Sequence, residues 1–208
     1  MTRIGLYGGA FDPPHLAHVA LARSALVQFQ LEQLRVIPTG SAWHKNRPLT
    51  AAHHRLAMAH LAFDDIHSVR VDPREMKRDG PTYTIDTLSD LKVEYPNAVF
   101  FLFVGQDQAQ AFTTWHRWEA ILDIATLVVA QRPGVGSVDS VLDTARWHNG
   151  GPAKVQSLDM SAMDVSATDI RSRIAQADLE PTSLPALVLR YIKQHRLYQT
   201  HTDDRNLS

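Results

Sequence analysis

In the segment RIGLYGG, residues 3–9, a short apolar run stops at two glycines, which predicts a buried strand and a tight turn. From 16 to about 31 the apolar spacing lengthens. Leu16, Val19, Ala20, Leu26, Val27 and Leu31 lie close to one face of a helix. LRVIP predicts a second strand ended by Pro38, and TAAHHRLAMAHLAF a second helix with Thr50 as its cap. HSVRV predicts a third strand. PREMKRDGPT reads as a loop, its run Arg74 to Asp79 solvated, and TIDTLSDLKVEY as the next helix. AVFFLFVG is the strongest strand signal in the chain, a continuous apolar run suited to a central strand covered on both faces. A Trp-rich helical stretch follows, then ATLVVAQ as a fifth strand, a helix in SVDSVLDTARW and a weak sixth strand in KVQSLD. Two helices, at about 167–175 and 184–197, close the pattern, and the polar tail 201–208 is expected to be flexible.

Strands alternating with helices predict an α/β fold: a doubly wound parallel sheet with a C-terminal helical cap. The expected organisation is one domain over 1–200, with about 165–200 as its helical part. Ligands of such sheets sit beyond the carboxyl ends of the strands, where the strand order reverses. In the commonest order that crevice lies between the first and fourth strands. Gly8-Gly9 and Gly105-Gln106-Asp107 would both fall there.

Composition narrows the choice. The 208 residues are 44% apolar and 21% charged, with a net charge of −1, so no global field draws the chain to nucleic acid or to a membrane. With no cysteine, disulfides, thiolate catalysis and cysteine-based zinc sites are excluded. The chain shows neither a leader-like start nor an apolar run of the ~20 residues that span a bilayer. The expected location is cytoplasmic, the partners are small molecules, and assembly into a homo-oligomer stays open. GxxxxGK[ST], HExxH and a GxGxxG after the first strand are all missing, which argues against P-loop enzymes, metalloproteases and ordinary dehydrogenases.

Two elements carry chemistry. In GGAFDPPHLAH, a glycine turn runs into a helix start, where free N–H groups and the helix dipole favour an anion. His15 and His18, at i and i+3, share a face of that helix and suit the moving charge of phosphoryl or nucleotidyl transfer. In DVSATDIRSRI, Ser166 can cap a helix beginning near Ala167, bringing Thr168 and Arg171 together in its first turns. Taken alone, each element also fits an ordinary helix start.

Taken together they resemble the HxGH nucleotidyltransferase superfamily, with its GxFDPxHxGH and [ST]-x-T-x-x-R motifs. More narrowly the chain is similar to the bacterial nicotinate-mononucleotide adenylyltransferases, through the HK pair at 44–45, GPTYTIDTL, FVGQDQ, Trp115 and Trp118, RPG at 132–134, VSATDIR and YIKQHRLY. The resemblance implies that nicotinate mononucleotide attacks ATP to give nicotinate adenine dinucleotide and pyrophosphate, with Mg2+ carried on the ATP phosphates. It implies that His15, His18, Lys45 and Arg171 serve catalysis, and that Gly8, Gly9, Phe11, Ser166 and Thr168 join His15, His18 and Arg171 in binding ATP. Tyr83, Thr84, Asp107, Trp115, His116 and Arg132 would bind the mononucleotide. The chain departs from the pattern at Ala17, where the family has glycine, and at Ala42-Trp43, where many relatives have two prolines. Other acceptors, a nucleotide-binding regulator and a histidine-ligated metal hydrolase are the competing readings.

Overall fold

The computed structural model describes residues 1–40, 49–130, 147–148, 151–152, 155–161, 163–178 and 183–199. Lys45 and Arg132, the HK pair and nearly all of the expected helix at 137–147 lie outside these residues; Trp147 itself falls in a short strand.

Six parallel strands form one sheet in the order β3-β2-β1-β4-β5-β8. They are β1 (Arg3–Gly9), β2 (Gln33–Pro38), β3 (Val69–Val71), β4 (Val99–Gly105), β5 (Ala125–Ala130) and β8 (Val155–Leu158). A separate two-residue ladder pairs β6 (Trp147–His148) with β7 (Gly151–Pro152). The order reverses between β1 and β4, which are hydrogen-bonded neighbours with Tyr7 opposite Phe103. This places the crevice of the doubly wound sheet above the carboxyl ends of β1 and β4.

Side-chain alternation divides the core. From β1 and β4, Ile4, Leu6, Phe100, Leu102 and Val104 pack on one face with Ile85, Leu88 and Leu91 of α3 (Thr84–Glu94) and Ile121 and Leu122 of α5 (Trp118–Ile124). Tyr7, Phe101 and Phe103 pack on the other, against α1 (Leu16–Gln28) and α2 (Ala52–Phe63). Ile170 and Ile174 of α6 (Ala167–Ala175) and Val188 and Ile192 of α7 (Ala186–Gln194) join this second cluster. Short α4 (Gln106–Gln110) follows β4 directly.

The first helix stops at Gln28, short of the expected 31. Gln30 takes φ +47°, its N–H donates to the Val27 carbonyl, and the Leu31 N–H donates to that of Leu26. This is a Schellman stop, in which an apolar residue just past the end still packs back on the helix and prolongs the apolar pattern. The same device ends α7 before the expected 197, with Arg196 at φ +50° and the Leu197 N–H on the Ile192 carbonyl. Thr50 is not the cap of α2; Ala51 occupies that position, without a side-chain cap bond. Nor is the run after β3 a solvated loop. Arg74 bridges Asp72 and Glu94 at 2.8 and 2.9 Å, Arg78 pairs with Asp90, and the Thr87 hydroxyl donates to Glu75 at 2.9 Å. Burial holds the Glu75 carboxyl above its ordinary pKa.

Candidate active site

β1 is buried from Ile4 to Tyr7; Gly8, next in line, is exposed, and a Cβ built on it would meet nothing within 4 Å. A Cβ at Gly105, where β4 ends, would likewise meet nothing. Near the carboxyl end of each strand flanking the switch point, one glycine thus borders open space. Gly9 differs, because a Cβ there would lie 3.0 Å from the Phe11 ring. Phe11 is 1% exposed and adopts φ +47°, turning into the core edge-on to Tyr7, Phe63 and His18. It shapes the turn and braces an imidazole rather than lining the opening.

His15 caps α1 in extended conformation, and its ring stacks on that of His18 with centroids 3.7 Å apart. The His15 backbone N–H donates to His18 Nδ1 at 3.0 Å. An accepting Nδ1 leaves the proton of the neutral ring on Nε2, so His18 is prepared as a donor without first being charged. The amides at this helix start are less free than the sequence suggests. Leu16 N–H donates to the Ser183 carbonyl at 2.9 Å and His18 N–H to the His15 carbonyl at 2.9 Å.

The second element arrives at the same turn. Ser166 caps α6 by accepting from the Asp169 N–H at 3.0 Å. Arg171 donates through Nη2 to Thr168 Oγ1 at 3.0 Å and through Nη1 to the Asp12 carbonyl at 2.8 Å, across 159 residues of sequence. The guanidinium is thereby fixed three positions before His15.

On the other side of the sheet Thr84 begins α3, and the ring of Tyr83, its N-cap, lies 4.4 Å from that of His116. Trp115 is half-buried and tilted against Phe112 at 5.4 Å, while Asp107 is exposed in the first turn of α4. Arg117, between His116 and Trp118, takes φ +52° as the N-cap of α5.

The sequence motifs give no role to Asp12, to Arg55 or to the reach of Tyr198. Asp12 is 2% exposed and accepts from the Tyr198 hydroxyl at 2.7 Å and the Thr50 N–H at 3.3 Å. Burial, and then the Asp12 carboxylate, push the Tyr198 phenol well above its ordinary pKa, so it remains a donor. Arg55 shares the buried stripe of α2 with Met58, Ala59, Ala62 and Phe63. A guanidinium on a core-facing stripe was the available signal.

A cytidylyltransferase-like family model matches residues 6–173. A chain of Albidiferax ferrireducens named "Probable nicotinate-nucleotide adenylyltransferase" is 50% identical over 96% of this chain and all of that one. One of Methylibium petroleiphilum with the same name is 42% identical over 94% of this chain and 92% of the other. The nicotinic acid mononucleotide adenylyltransferase of Plasmodium falciparum, complexed with NaAD, shares the fold with a TM-score of 0.72 at 20% identity, covering 95% of this chain and 98% of that one. Among the described residues no helix is long and apolar enough to cross a membrane. With both motifs meeting at one turn and these relatives aligned end to end, the chain belongs to the cytidylyltransferase-like family, among its nicotinate-nucleotide adenylyltransferases.

Proposed function

We infer that the protein joins ATP to nicotinate mononucleotide. A phosphate oxygen of the mononucleotide bonds to the α-phosphorus of ATP, the bond from that phosphorus to the bridging oxygen breaks, and pyrophosphate leaves with the electron pair. Such chemistry asks the protein for positioning and for donors aimed at developing charge, not for a nucleophile of its own. The observation that carries the reading is the bond from Arg171 to the Asp12 carbonyl, which unites two remote phosphate-type motifs beside His15 and His18.

In this reading His18 donates from Nε2 to the reacting phosphates, and His15 holds it in that tautomer. Arg171, Ser166 and Thr168 face the triphosphate, Lys45 adds a cation, and the nucleotide lies over Gly8. Trp115 stacks on the pyridine, Tyr83, Thr84 and His116 surround its carboxylate, Asp107 takes a ribose hydroxyl, and Arg132 the mononucleotide phosphate. Among the described residues no group of three or more His, Asp or Glu side chains is disposed to hold a metal, and the Asp12 carboxylate is committed to Tyr198 and Thr50. The donors at the turn are N–H groups and cations. That set fits Mg2+ arriving on the ATP phosphates, where it offsets their charge.

The test supplies ATP and magnesium with nicotinate mononucleotide or its amide, and measures pyrophosphate and dinucleotide. Product should form with the acid and far more slowly with the amide. Equal rates would remove the acid preference, and no product with either would remove the activity.

A further inference from the structure

Arg55 is 2% exposed, yet its guanidinium touches only backbone oxygens in the hydrogen bonds described. Nε donates to the Thr50 carbonyl at 2.9 Å, and Nη1 to those of Thr39 at 2.8 Å and Ala10 at 3.0 Å. Nη2 donates to the Gly40 carbonyl at 3.2 Å. These oxygens belong to three separate segments: the turn after β1, the end of β2 and the approach to α2. Residues 41–48, which include Lys45, begin and end between two of these anchors.

Gly40 is also a crossing point. A Cβ there would collide with the Glu75 carbonyl oxygen, so the chain just past β2 can lie this close to its neighbour only as glycine. Burial opposes the charge on Arg55, and the Asp12 carboxylate offsets only part of that effect. An apolar side chain of similar length would fill the same space without this cost. What it could not do is hold three turns in register, because four carbonyls would lose their donor. Lysine could not either, since a single ammonium lacks the planar fork that reaches several oxygens at once.

We propose that Arg55 is a positioning residue for adenylyl transfer: by tying the Ala10, Thr39–Gly40 and Thr50 carbonyls to one buried guanidinium, it sets the turn after β1, where ATP is received, against the segments that follow β2 and precede α2. The proposal rests on the reading in the preceding subsection. It acts through the turns and touches no substrate.

Arg55→Lys and Arg55→Met in the full chain test it by steady-state kinetics, thermal unfolding and amide hydrogen exchange. Arg55→Lys should lower kcat/KM for ATP between ~10- and ~100-fold, the scale of small misplacements. The KM for nicotinate mononucleotide should stay within about twofold of wild type. Exchange should accelerate at the amides of Ala10, Phe11, Thr39 and Gly40 and stay unchanged in β4 and β5. Wild-type ATP kinetics with unchanged exchange in Arg55→Lys would overturn the proposal. So would equal losses toward both substrates that merely follow the unfolding temperature. If Arg55→Met does not fold, Arg55→Lys decides alone. Exchange needs no turnover, so a wild-type chain that makes no dinucleotide would remove the adenylyl-transfer reading and leave the exchange arm to judge Arg55.

Discussion

On the side of the crevice formed by the β1–α1 turn and the C-terminal helices, polar side chains hold one another and the backbone. Asp12, Arg55, Arg171 and Tyr198 bind carbonyls, an amide and each other at 2.7–3.3 Å. Around Tyr83, Asp107, Trp115 and His116 the described contacts are mainly ring against ring, and Asp107 and His116 are exposed. The first side is built in advance. Donors fixed before reaction cost no reorganisation when charge develops, which suits the phosphates of a nucleotidyl transfer. Flat ring faces suit a planar ligand. The contrast predicts that damage on the first side appears in turnover and damage on the second in acceptor affinity.

The largest break should come from His18→Ala, with kcat lowered ~10²-fold or more, the scale of losing one preorganised donor. Circular dichroism should show an unchanged fold. A fully active variant would remove the imidazole from the mechanism. Next, Trp115→Leu keeps an apolar contact with Phe112 but loses the flat face. It should raise the KM for nicotinate mononucleotide about tenfold, near 1.4 kcal/mol, while the KM for ATP holds. A change confined to ATP would reverse the assignment of the two sides.

The smallest effect concerns the C-terminal cap. His54 on α2 shares a 2.9 Å hydrogen bond with the Tyr191 hydroxyl, and its ring lies 4.1 Å from His53 and 5.1 Å from His195. Burial, then repulsion from His53 and His195, lowers its pKa below 6.5. The unfolded chain therefore takes up this proton first. The stability contribution is complete above pH 6.5 and is lost as pH falls from there through the folded value. Unfolding temperatures measured from pH 7.5 to 5 should fall more gently in His54→Gln than in wild type. Parallel profiles would show that His54 does not govern this range.

The ends of α1 and α7 show why helix boundaries can be hard to read, whereas α6 ends at Ala175 as expected. Each of the two overrun stops places a non-glycine residue at positive φ: Gln30 and Arg196. The usual glycine signal is missing, and the backbone bonds that make the stop leave no side-chain trace. The stop after α7 has a consequence for the site, since the chain then turns at Tyr198, φ +65°, and sends its hydroxyl to Asp12. Thr50 was legible as a polar residue before a helix, but its amide serves Asp12 and Ala51 takes the cap.

By itself the sequence determined the alternation of strands and helices and the two segments bearing His15, His18 and Arg171. Periodicity and motif spacing are local properties, carried by neighbouring residues. Only the tertiary structure decided that β1 lies beside β4, that Arg171 reaches the Asp12 carbonyl and that Arg55 is buried among backbone oxygens. Those facts depend on contacts between remote segments, where a charged side chain can satisfy carbonyls that no local pattern reveals.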